Sequence, residues 1–109
     1  MRACHVTNRA RAHLREIVAF IGSDNPDAAE RYYEAALKTF TDFPADILTP
    51  KPASEALPPS VHEIAVRGFL RYTLRILVRE NDMFLLCAFR PGLPDEIKDA
   101  LTRQGLDDT

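Results

Sequence analysis

Leu70-Arg71-Tyr72-Thr73-Leu74-Arg75-Ile76-Leu77-Val78-Arg79 alternates along its whole length, and its reading decides the fold. Successive side chains of an extended strand point to opposite faces, so Leu70, Tyr72, Leu74, Ile76 and Val78 share one face. Arg71, Thr73, Arg75, Leu77 and Arg79 share the other. The spacing predicts a half-buried strand with an apolar face on a core and a cationic face toward water or an anionic partner.

Elements suited to cover the apolar face lie upstream. Arg2 to Thr7 fits a short first strand, and Thr7 or Asn8 supplies a helix cap. Ala10, Leu14, Ile17, Val18 and Ile21 then recur at helical spacing. Gly22 is expected to end that helix in the left-handed conformation, with Ser23-Asp24-Asn25-Pro26 as turn, cap and first helical position of the next. A second helix is predicted from Pro26 to about Phe43, its stripe being Ala29, Tyr33, Ala36, Leu37, Phe40 and Phe43. Pro44 stops it. So short a joint folds the two helices into an antiparallel hairpin that needs a sheet beneath it.

Downstream, Pro44 to Ser60 carries five of the eight prolines and reads as an irregular connection. Val61 to Val66 is strand-like, Arg67-Gly68 a turn or bulge, and Glu80-Asn81-Asp82 a hairpin turn before Met83 to Phe89. That last strand is apolar on both sides, so it belongs inside the sheet with something over its second face. Leu93 to Thr109 is an acidic tail with a short helix, striped by Leu93, Ile97, Ala100 and Leu101, and is a candidate for that cover. The expectation is a single α+β domain over residues 1–109. An N-terminal strand and an antiparallel helical hairpin pack on an antiparallel sheet whose C-terminal part is a three-strand meander.

Composition narrows the function classes. No run reaches the ~20 apolar residues of a membrane span, and the N-terminus lacks a secretory pattern, so the expected location is the cytoplasm. Cys4 and Cys87 have no zinc or redox spacing and are expected to be reduced, buried thiols. His5, His13 and His62 form no metal motif, and the four glycines stand singly, so no metal, nucleotide or other cofactor is expected. Charge is unevenly spread: residues 1–22 hold four basic and one acidic side chain, and residues 64–90 hold five and two. Residues 23–63 hold three basic and eight acidic side chains, and residues 91–109 two and five. Arg71, Arg75 and Arg79 stand too far apart for one phosphate. Interrupted by Leu77, they suit an acidic protein better than a phosphate track. Arg90 stands where the last strand opens into a loop.

This order of elements resembles the RelE/ParE toxin superfamily. The segments that carry the resemblance are Ala10-Arg11-Ala12-His13-Leu14-Arg15-Glu16-Ile17, Ser23-Asp24-Asn25-Pro26-Asp27-Ala28-Ala29, Phe40-Thr41-Asp42-Phe43-Pro44 and Glu63-Ile64-Ala65-Val66-Arg67-Gly68-Phe69. They lean to the ParE-like, plasmid-stabilisation branch. The resemblance implies the toxin of a type II toxin–antitoxin system, neutralised by a ParD-like antitoxin that is acidic and partly disordered. It also implies a choice of targets: DNA gyrase, inhibited by protein binding, or messenger RNA cut on the ribosome. A superfamily nuclease uses a Tyr or His near the end of the last strand. Phe89 stands there and cannot transfer a proton.

A binding toxin without catalysis, and without sequence-specific DNA binding of its own, is therefore the expectation. Its partner-binding residues are Arg67, Arg71, Arg75, Leu77, Arg79, Phe89 and Arg90. A ribonuclease using Arg71, Arg75 and Arg90 is the alternative, and a non-toxic member that only binds its antitoxin is the third. The chain departs from the ParE pattern after Phe89, where Arg90 alone remains of a basic ending.

Overall fold

The computed structural model describes residues 2–43 and 52–109. The stretch Pro44 to Lys51, which holds the predicted helix stop and half of the proline-rich connection, lies outside them. Strand β1 (Ala3–Val6) leads into helix α1 (Asn8–Gly22). The Thr7 hydroxyl caps that helix by accepting from the Ala10 amide at 3.1 Å, and it also donates to the Leu85 carbonyl at 2.9 Å. One side chain thus caps a helix and ties it to the sheet. Helix α2 (Pro26–Asp42) starts as its sequence dictates, with Asn25 Oδ1 accepting from Ala28 at 3.0 Å and Pro26 in the first turn.

Strands β2 (Val61–Val66), β3 (Phe69–Val78) and β4 (Asp82–Phe89) form the antiparallel meander, and β1 adds parallel to β4. The sheet order is β1-β4-β3-β2, so the doubly apolar β4 is central. The sheet is therefore mixed rather than purely antiparallel. Helix α3 (Asp95–Leu106) follows.

Two cores sit on the two faces of this sheet. Under the hairpin, Leu14, Ile17, Tyr32, Ala36 and Phe40 pack on Leu74, Ile76, Met83, Leu85 and Ala88. Under α3, Leu57, Val61, Leu77, Leu86, Cys87 and Phe89 form a second cluster, with Leu93, Leu101 and Leu106 against it. The C-terminal tail is thus the cover that β4 required. Burying a Leu- or Phe-sized side chain is worth about 1.5–3 kcal/mol, so a cluster of this size holds α3 down.

A bulge assigns the side chains of β4 to these cores. Arg75 lies opposite Cys87, but Ile76 lies opposite Leu85, which leaves Leu86 as the extra residue. Leu86 and Cys87 consequently both belong to the α3 cluster, whereas Leu85 and Ala88 belong to the hairpin core. Helix α3 approaches this bulge through Gly105, where a Cβ would stand 2.7 Å from the Leu86 carbonyl oxygen. No larger residue fits.

Several expectations are corrected here. Leu70 is 74% exposed, and it lies in an irregularity of the β2–β3 ladder, where the register shifts from Ala65↔Thr73 to Val66↔Phe69 and leaves Leu70, Arg71 and Tyr72 without partners on β2. Tyr32, not Tyr33, is the buried tyrosine of α2, and Ile97 is exposed while Thr102 and Gly105 face inward. Gly22 ends α1 but stays right-handed, since Gly68 and Gly92 are the positive-φ residues. Cys4 is exposed on the edge strand, and only Cys87 is buried.

Two substitutions test this packing. Gly105→Ala should lower unfolding free energy by about 1–3 kcal/mol through overpacking against Leu86, read by urea denaturation. Tyr32 is fully buried, and its hydroxyl has no hydrogen-bond partner among the described residues. Tyr32→Phe removes an unsatisfied polar group and should be neutral or stabilising by up to ~1 kcal/mol in the same assay. A large loss would contradict this environment.

Candidate functional site

Two polar regions stand out, one under α3 and one beside it. Arg75 lies in the middle of β3 at 1% exposure. Its guanidinium donates through Nε to Glu63 at 3.1 Å and through Nη1 to Asp99 at 2.6 Å and Thr102 at 3.3 Å. Glu63 lies directly opposite on β2, while Asp99 and Thr102 come from α3. Lys98 shares Glu63 at 3.2 Å, and Ser54 donates to the second oxygen of Asp99 at 3.0 Å. Phe89 lies beneath, its ring 5.7 Å from the Arg75 guanidinium carbon and 5.8 Å from Lys98 Nζ.

These contacts set the titration of the site. Burial works against a charged Arg75, but hydrogen bonds from it to Asp99 and Glu63 outweigh that and raise its pKa. Burial likewise opposes ionisation of Asp99, yet hydrogen bonds from Arg75 and Ser54 hold its carboxyl below the ordinary value. Cys87, shut in the α3 cluster, has its thiol pushed up to about 12 by burial. It is a core residue rather than a nucleophile.

The expected partner-binding residues therefore divide. Arg75, Leu77 and Phe89 are buried beneath α3 and are not presented to a partner, a correction to the cationic face read from the alternation. Alternation gives the side of the sheet but not what covers it. Arg67 is exposed and engaged: its Nη1 donates to Asp42 at 3.1 Å, and its amide donates to Thr39 at 3.2 Å. Arg79 lies over Phe84 at 5.2 Å and donates to Thr109 at 3.4 Å. Arg71 is exposed at the far end of β3. Arg90 is exposed over the Phe20 ring at 4.4 Å.

Arg90 also lines a cleft of about 800 Å3 between α1 and α3, at the C-terminal end of β4. Helix α1 contributes Arg9, Ala12, His13, Glu16 and Ile17; only Ile17 belongs to the buried stripe read from the sequence, and the others lie outside it, where no site was expected. His13 Nδ1 accepts the Ala88 amide at 3.4 Å, and its ring lies 6.0 Å from that of Phe89. Burial lowers its pKa, and Glu16 offsets this in part. A histidine thus stands beside the end of the last strand, contributed by a helix rather than by the strand. The signal was available in the i, i+4, i+7 spacing of Arg9, His13 and Glu16 on one side of α1. Among the described residues, no group of three or more His, Cys, Asp or Glu side chains could hold a metal ion. No described helix is long and apolar enough to cross a membrane.

Comparison with known proteins gives one kind of finding. No family model matches the chain, and no curated protein matches it. Among solved structures it is similar to a chain of the "Chromosomal ParDE TA system from P. aeruginosa". The TM-score is 0.68 at 18% sequence identity, covering 84% of this chain and 98% of that one. The likeness is one of fold, and it is the fold that the sequence resemblance implied.

The ionic contacts predict a pH signature. Asp99 has a depressed folded pKa, so its contribution is present above its unfolded value, about 4, and lost as pH falls through the folded one. His13 also has a depressed folded pKa, so stability is lost as pH falls from its unfolded value, about 6.5, toward the folded one. Unfolding free energy should fall in two stages, and His13→Gln and Asp99→Asn should remove the upper and lower stage respectively. Arg75→Ala leaves Asp99 without its cation and Glu63 with Lys98 alone and should cost about 3–5 kcal/mol, against less for Arg75→Met with Glu63→Gln and Asp99→Asn. Denaturant midpoints across pH measure all of these.

Proposed function

We propose that this chain is the toxin of a type II toxin–antitoxin pair, that it acts by binding a protein without catalysis of its own, and that an acidic ParD-like antitoxin neutralises it. The observation that carries this reading is the fold likeness to a chain of a ParDE system over most of both chains. DNA gyrase is the proposed target, the cytoplasm the proposed location, and plasmid stabilisation the proposed setting.

The state of the arginines supports binding over cleavage. Arg75, the central member of the nuclease alternative, is neutralised by Glu63 and Asp99. Phe89, at the place of a proton-transfer residue, is buried. One observation favours a second reading: His13 beside Phe89 supplies an imidazole near Arg90, so the ribonuclease enters the same experiment.

The chain is expressed alone and with the product of its neighbouring gene. Growth should stop with the chain alone and resume on co-expression, and the purified chain should inhibit gyrase supercoiling while messenger RNA stays intact on ribosomes. Ribosome-dependent cleavage, lost in His13→Ala, would replace this account with the nuclease. Tight complex formation without growth arrest would replace it with a non-toxic antitoxin binder.

A further inference from the structure

The cleft between α1 and α3 holds polar donors that the described residues leave unused. Arg9 Nε is buried and has no hydrogen-bond partner among the described residues. No described carboxylate lies within ion-pair distance of Arg9 or Arg90. Leaving a donor of a charged group buried and unmet is costly, and such groups occur where a ligand supplies the acceptor. Arg90 lies over the Phe20 ring at 4.4 Å, a contact that does not use its donors. Because His13 Nδ1 accepts from Ala88, Nε2 carries the ring proton and adds a third donor from a residue that lines the cleft. Between these donors the walls are apolar: Ala12 and Ile17 on one side, Leu93 and Leu101 on the other.

We propose that this cleft docks a carboxylate side chain carried on an apolar segment of a partner protein, the carboxylate meeting Arg9 and Arg90 while a neighbouring aliphatic side chain fills the space between α1 and α3. The inference rests on the protein-binding reading above and names where and by what chemistry the partner is held. Glu16 and Asp108 also line the cleft, so it holds two carboxylates against two guanidiniums. Neither of these carboxylates pairs with Arg9 or Arg90, so the guanidiniums keep donors for one acidic group, while Glu16 and Asp108 limit how many anions the cleft can take. A nucleic-acid strand, whose phosphates recur at every nucleotide, would meet them. Carboxylate matches a guanidinium's paired donors, and the aliphatic walls add the apolar anchor of a peptide in a groove.

The test is an NMR titration of the full chain, following the Nε–H signals of Arg9 and Arg90 and the His13 ring. The probes are N-acetyl-Leu-Glu-amide, its Leu-Gln counterpart, and the RNA dinucleotide UpA. Saturable shifts at all three residues with the Glu probe, at least about tenfold weaker with the Gln probe, are expected from one charge-assisted contact. Arg9→Gln should weaken the Glu probe by a similar factor, and Ala12→Trp, which fills the cleft and leaves both arginines in place, should abolish the shifts. Equal response to both peptides, or no saturable response, overturns the proposal. Tighter binding of UpA overturns it in favour of nucleic acid. The titration uses the isolated chain, so its outcome is separate from growth arrest or gyrase inhibition.

Discussion

A guanidinium removed from water must be given acceptors, and the acceptors of Arg75 organise this molecule. They come from the neighbouring strand through Glu63 and from the last helix through Asp99 and Thr102. One buried side chain therefore binds edge strand, inner strand and C-terminal helix together. The charged contacts fix how α3 lies on the sheet more than they stabilise it, because desolvating the ions offsets much of their attraction. The stabilisation comes from the Leu77, Leu86 and Phe89 cluster beneath. The Leu86 bulge turns two consecutive residues toward α3, and Gly105 allows the helix backbone to reach them.

This arrangement changes which guanidiniums are accessible. A strand carrying Arg71, Arg75 and Arg79 on one face has the look of an anion-binding surface, but its central member is spent inside the protein. The guanidiniums left at the surface are separated: Arg71 at one end of β3, Arg79 at the other over Phe84, and Arg90 beyond β4. What α3 creates in covering the sheet is a seam with α1, and there Arg9, His13 and Arg90 come together around apolar walls. The contact that closes the sheet face is thus also the one that forms this seam.

The order of elements was legible because each boundary has a local cause: Thr7 and Asn25 as caps, Pro26 in a first turn, Asn81 in a hairpin. The two-sided apolarity of Met83 to Phe89 was enough to require a cover, and the tail supplies it. Helical stripes were less legible, since Tyr32 and Tyr33 differ by one position and one hundred degrees, and only the sheet beneath decides between them. Arg75 could not be read from its strand, because burial of an arginine depends on carboxylates brought from 12 and 24 residues away. The α1 side of the cleft has helical spacing in the sequence, but Arg90 joins it only after β4 is placed beside α1.

The central claim is that α3 is a layer of the folded domain, pinned through Arg75, so that the cationic row of β3 is interior. Native-state hydrogen exchange of the isolated chain tests it most directly. The amides of Leu101 to Leu106 should be protected to nearly the same degree as those of Leu74 to Leu77 and Leu85 to Cys87. Exchange of α3 at close to the unprotected rate while these strands stay protected would mean that Arg75 is open to solvent, and would contradict the account.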